Sequence, residues 1–263
     1  MSLVFASFTP HPPILIPNVG KEHSNILDKT KQALELLEQE LYSAKPDVLF
    51  VISPHGELHH SYFTVNLSHE FKADFEIFGD LETELKFIGE TIIFSSCKED
   101  INSRVPLNII SQKELDHGIS VPLFYLLKHL PQLPIVPIYF SMLDSHAHYE
   151  FGRALKDLIL KSDKRIAVIA SGDLSHALSN DSPAPFHPDG KIFDDKVIKA
   201  VETEKLSELM SLDPKLIDNA NECGLKSLMI LAGILSDMKF RSKILNYENP
   251  LGIGYLTAQM ILD

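Results

Sequence analysis

The chain has 263 residues, 44% of them hydrophobic and 23% charged, with a formal net charge of -12. A chain of that length buries a sizeable core, and the balance is that of a globular protein. The acidic excess, with no Lys/Arg-rich block, excludes nucleic acid as the main partner, because phosphate binding needs a basic surface.

In chain order, the run LVFASFTP reads as a strand that leads to His11. Runs of four to eight β-branched and aromatic residues bounded by Pro, Gly and Ser are the signature of buried strands. Residues 22–42 carry Leu27, Leu34, Leu37 and Leu41 among Lys and Glu, a helical period with one apolar face. Lys45-Pro46-Asp47 ends that helix, and a strand at 48–52 leads to His55. Further strands are expected at 62–67, alternating and nearer an edge, and at 91–95. A helix at 121–130, a strand at 135–140, a helix at 146–160 and a strand at 165–170 follow. Helices at 191–202, 205–210 and 222–238 precede two final strands at 244–247 and 254–261. Strands alternating with helices, without a break in composition, predict one three-layer α/β/α domain over 1–263, built on a mixed, mostly parallel sheet.

The histidines past the strand ends are the candidate site, since ligands of open α/β sheets sit beyond the carboxyl ends of the strands. In Thr9-Pro10-His11-Pro12-Pro13 the prolines hold the backbone extended and fix where the imidazole points. Ser53-Pro54-His55-Gly56 repeats that arrangement, so His11 and His55 are expected on neighbouring strand ends as a metal-binding pair, with ring nitrogens roughly 3–4 Å apart. In Asp116-His117-Gly118, His117 reads either as part of a helix-capping turn or as a rim group that hydrogen-bonds a substrate oxygen. Ser171-Gly172-Asp173-Leu174-Ser175-His176 follows the strongest strand; Asp173 can orient His176 as a catalytic base, or form an Asx-turn that gives His176 no role. Asn221-Glu222-Cys223-Gly224 opens a helix in which Glu222 reads either as a surface carboxylate capping the first turn or as a metal ligand; Glu222 and Cys223 point about 100° apart, so the two are not expected to bind one metal together. Two histidines with Glu222 make the facial triad of non-heme Fe(II) oxygenases; two histidines with Cys223 suit a softer ion. The oxygen ligand is preferred for a hard ferrous ion, with Cys223 packed against the sheet. The other histidines (His23, His59, His60, His69, His129, His146 and His148) read as mostly solvent-facing, His59 being close enough to His55 to matter.

TPHPP, SPHG, DHG, SGDLSH and a late NECG, in this order, resemble the class III extradiol ring-cleavage dioxygenase B-subunit family. Within it the chain is similar to the AmmeMemoRadiSam system protein B and Memo branch. The resemblance implies His11, His55 and Glu222 as metal ligands, His176 as the acid/base residue and His117 as a group beside the substrate. It implies Fe(II), with Zn or Cu as alternatives, and an O2-dependent opening of a catechol-like or aminophenol-like ring. A Memo-like metal-binding module without ring cleavage and a metal-dependent hydrolase are the alternatives. Only Cys97 and Cys223 are present, which excludes a disulfide framework. No apolar run reaches the roughly 18 residues that cross a bilayer. The expectation is a soluble cytoplasmic protein without membrane partners, with homo-oligomer formation left open.

Overall fold

The computed structural model describes residues 2–94 and 101–263. Its main sheet has eight strands in the order β6-β3-β7-β2-β8-β1-β10-β9. In chain order these are β1 (Leu3–Thr9), β2 (Val48–Ser53), β3 (Phe63–Asn66), β6 (Leu107–Ile110), β7 (Ile135–Tyr139), β8 (Ile166–Ser171), β9 (Phe240–Glu248) and β10 (Tyr255–Leu262). The central strands β7, β2, β8 and β1 run parallel, β3 and β6 pair parallel, and β10 joins β1 and β9 antiparallel. The mixed sheet with helices on both faces is the α/β/α arrangement expected.

Both faces of the central strands are buried, which is why they read as continuous apolar runs rather than alternating ones. On β2, Val48, Phe50 and Ile52 face one core, and Leu49 and Val51 face the other. The first core is closed by α4 (Ser145–Lys161), α5 (Pro188–Glu202), α6 (Pro214–Ala220) and α7 (Leu225–Ile234). The second is closed by α2 (Asp28–Ala44) and α3 (His117–Leu126). A single turn, α1 (Pro17–Gly20), follows the first strand. No described helix is long and apolar enough to cross a membrane.

Several expectations need correction. His11 and His55 do not follow neighbouring strands, because β8 lies between β1 and β2. Residues 91–94 form a turn rather than a strand, held by the N–H groups of Ile92 and Ile93 on the Glu90 carboxylate, and residue 95 lies outside the described residues. The strands of that region are instead the hairpin β4 (Glu70–Phe75) and β5 (Asp80–Ile88), a separate two-stranded sheet. Residues 21–27 are a 3-10 segment, and α2 starts only at Asp28. The expected helix at 205–210 is also 3-10, at Leu206–Ser211. Pro at the first position and an Asp213 cap start α6, which periodicity in so short a segment does not reveal. His148 is fully buried, not solvent-facing: Nδ1 donates to the Asp144 carbonyl at 2.7 Å and Nε2 accepts the Ser141 N–H at 3.2 Å. With both nitrogens engaged, it is a structural histidine of the core.

Candidate metal centre

Strands β2, β8 and β1 lie side by side and parallel, so their carboxyl ends form one edge. The segments that leave that edge carry His55, Asp173 with His176, and His11. His11 is buried, and its Nε2 stands 2.9 Å from the Nε2 of the exposed His55. The other His11 nitrogen, Nδ1, is 2.9 Å from the Ser171 hydroxyl, and the His11 backbone N–H donates to Asp173 Oδ1 at 3.0 Å. Ring and backbone of His11 are thus both anchored to the β8 exit, which aims Nε2 outward.

His55 is held through its backbone. Ser53 Oγ accepts the His55 N–H at 3.2 Å and donates to Asp116 Oδ1 at 2.5 Å. Asp116 starts α3, so this relay also carries His117 to the edge, where its ring stacks on that of His55 at 4.3 Å and 20°. Phe78, a residue the sequence did not single out, meets His117 edge-on at 5.3 Å. Ser53 and Ser171, the last residues of β2 and β8, were also missed; a serine closing an apolar strand beside a histidine was their only signal.

Cys223 completes the cluster. Its Sγ is 3.6 Å from His11 Nε2, and the ligand atoms of His11, His55 and Cys223 all lie within 4.8 Å of one another. Glu222 is occupied elsewhere: Oε2 accepts the Leu225 N–H at 2.6 Å and caps the N-terminus of α7. The reason is a close approach of two glycines. A Cβ on Gly172 would sit 2.2 Å from Gly224 Cα, so the SGD and NECG segments meet backbone to backbone. There Cys223 N–H donates to the Asp173 carbonyl at 3.3 Å, and Asp173 N–H donates to Cys223 Sγ at 3.3 Å. Gly172→Ala is therefore expected to force these loops apart, costing about 1–3 kcal/mol as overpacking does. Thermal melting should show a lowered Tm, and metal retention should fall with it.

The electrostatics suit a cation. Burial, reinforced by the neighbouring imidazoles, holds His11 well below its usual pKa. Burial lowers His55 and His117 to about 4 each and pushes Asp173 up to about 7, the last opposed by the His11 N–H. The Cys223 thiol is likewise raised by burial. Neutral imidazoles are the form that binds metals. A bound cation would invert the local preference, favouring the thiolate form of Cys223. Two imidazole nitrogens and a thiol, with Asp173 Oδ2 at 3.8 Å from His11 Nε2, fit a divalent transition metal. The arrangement departs from the expected ligand set at one place, since Cys223 rather than Glu222 stands with the histidines.

His176 lies beside this cluster. Its backbone N–H donates to the Ala220 carbonyl and its carbonyl accepts the Ala184 N–H, while the ring Nε2 is buried without a hydrogen-bond partner among the described residues. Among the described residues no hydrogen bond joins the Asp173 carboxylate to this ring, although the ligand atoms of the two side chains lie within 4.8 Å of each other and Asp173 Oδ1 takes the His11 N–H.

Residues 5–258 match the family described as the catalytic LigB subunit of aromatic ring-opening dioxygenase. The chain belongs to the LigB family. It is 31% identical to Protein CA_C1420 of Clostridium acetobutylicum over 97% of its own length, and spans 57% of that protein. It is 24% identical to the 2-aminophenol 1,6-dioxygenase beta subunit of a Pseudomonas species, covering 83% of this chain and 80% of the relative. A third relative is the 2,3-dihydroxyphenylpropionate/2,3-dihydroxicinnamic acid 1,2-dioxygenase 2 of Dechloromonas aromatica, 27% identical over 57% of this chain and half of that protein. The crystal structure of uncharacterized protein JW3007 from Escherichia coli K12 shares the fold, with a TM-score of 0.69 at 17% identity over 98% of this chain and 99% of that one.

Proposed function

We propose that this LigB-family chain is a metal-dependent dioxygenase that opens a catechol-like or aminophenol-like ring with O2, and that Cys223 takes the ligand position expected of Glu222. The observation that carries the reading is the convergence of His11 Nε2, His55 Nε2 and Cys223 Sγ at the carboxyl edge of β1 and β2. His11, His55 and Cys223 would hold the metal. When bound, ferrous iron supplies a lowered pKa for the substrate oxygens and open positions where O2 and the aromatic meet.

The rest is done by side chains of the chain itself. Ser171 and the Asp173 carboxylate fix the His11 ring and backbone, and the Ser53–Asp116 relay fixes the His55 loop. His55 is exposed, so the substrate would enter from its side and meet His117, stacked on His55, which would hydrogen-bond a ring oxygen. His176 brings a neutral imidazole with a free Nε2 lone pair or proton, which takes a proton from a substrate hydroxyl and later returns one. Burial holds the His176 pKa below its usual value, so it starts as the neutral base.

A second reading, a Memo-like metal-binding module without ring cleavage, is favoured by the sulfur ligand, which suits softer ions than Fe(II). Protein purified without chelator, reconstituted anaerobically with Fe(II) and given a panel of catechols and 2-aminophenols, separates the two. Oxygen uptake with a coloured ring-fission product supports the dioxygenase. Tight copper or zinc binding with no oxygen uptake on any ring would sink it in favour of the module.

A further inference from the structure

Cys223 belongs to two groups of ligand atoms. Besides its place with His11 and His55, it stands with Asp173 and His176, and the ligand atoms of this second trio also lie within 4.8 Å of one another. The first group leaves the second largely intact. Asp173 Oδ1 takes the His11 backbone N–H, while Oδ2, among the described residues, approaches His11 Nε2 at 3.8 Å.

The His176 ring is the second observation. Its Nε2 is buried and has no hydrogen-bond partner among the described residues, although buried polar atoms are ordinarily paired. The backbone of His176 is fastened on both sides, to Ala220 and to Ala184, so the ring is held at the cluster without a side-chain bond of its own. One nitrogen of that imidazole, a carboxylate oxygen and a thiol within 4.8 Å of one another form a borderline-soft donor set.

We propose that Asp173, His176 and Cys223 form a second metal site, joined to the first through the sulfur of Cys223. It takes a zinc-like or cobalt-like divalent cation, because sulfur, imidazole and carboxylate together suit ions of that class. Two such ions bring four positive charges against one thiolate and one carboxylate, so the second binds more weakly than the first, by about tenfold or more. A cation there ties up the His176 imidazole that the proposed ring opening uses, so filling the second site inhibits turnover. That consequence rests on the proposed role of His176; the site itself rests on the two trios.

The test is anaerobic titration of the full chain with Co(II), followed by equilibrium dialysis and by thiolate-to-cobalt charge-transfer absorbance. The expected result is two ions per chain in two phases, with one ion retained in H176A, in D173N and in H11A. If H176A fails to fold, H176Q gives the same reading with more of the side-chain volume kept. A single ion in the unmodified protein, or two ions retained in the His176 variants, overturns the second site while leaving the proposed function standing. No bound ion in the unmodified protein overturns both.

Discussion

Replacing Cys223 with alanine should strip the protein of its metal, whereas replacing Glu222 with alanine should not. Structural metal sites are worth about 10–16 kcal/mol over four ligands. One ligand is then worth about 3 kcal/mol, or roughly a hundredfold in affinity. Glu222→Ala removes the acceptor of the Leu225 N–H, a cap loss worth about 0.5–2 kcal/mol of stability. Metal content after gel filtration and thermal melting read the two effects separately. Metal loss in the Glu222 variant with retention in the Cys223 variant would restore the carboxylate ligand and reject the assignment made here.

His176→Ala should keep the first metal and lose turnover by roughly 10²–10⁴-fold, the usual share of acid–base catalysis. The ring is not among the atoms grouped with His11 and His55, so the ion held there has no need of it. Its unpartnered Nε2 is the nitrogen proposed to move the proton. The comparison is kcat with the best aromatic substrate against metal content in the same preparation. Undiminished turnover at full metal load would leave the mechanism without a base.

The elements that position the site were legible before any coordinates. LVFAS, VLFVIS and IAVIAS are continuous apolar runs because parallel strands covered on both faces bury nearly every side chain, and that requirement is written locally in the chain. Proline and glycine around His11 and His55 marked the strand exits in the same local way. The hairpin β4–β5 was not legible. Glu70, Lys72 and Asp74 alternate with buried Phe71, Ala73 and Phe75, but β5 exposes most of its residues, and no core periodicity marks it.

Composition, strand periodicity and the spacing of TPHPP, SPHG and SGDLSH by themselves determined an α/β chain with histidines gathered at one sheet edge. Each of those features is a short-range demand of burial or backbone stiffness. Tertiary structure alone decided that β8 runs between β1 and β2, so that Ser171 and Asp173 brace His11 from the middle. It also decided which neighbour of a Glu-Cys pair faces the histidines. Residues one position apart differ in direction by the local backbone turn, and the contact of Gly172 with Gly224, 52 positions away in the chain, sets that turn. A contact between segments that far apart has no local periodicity to announce it, and so it could be read only from the folded chain.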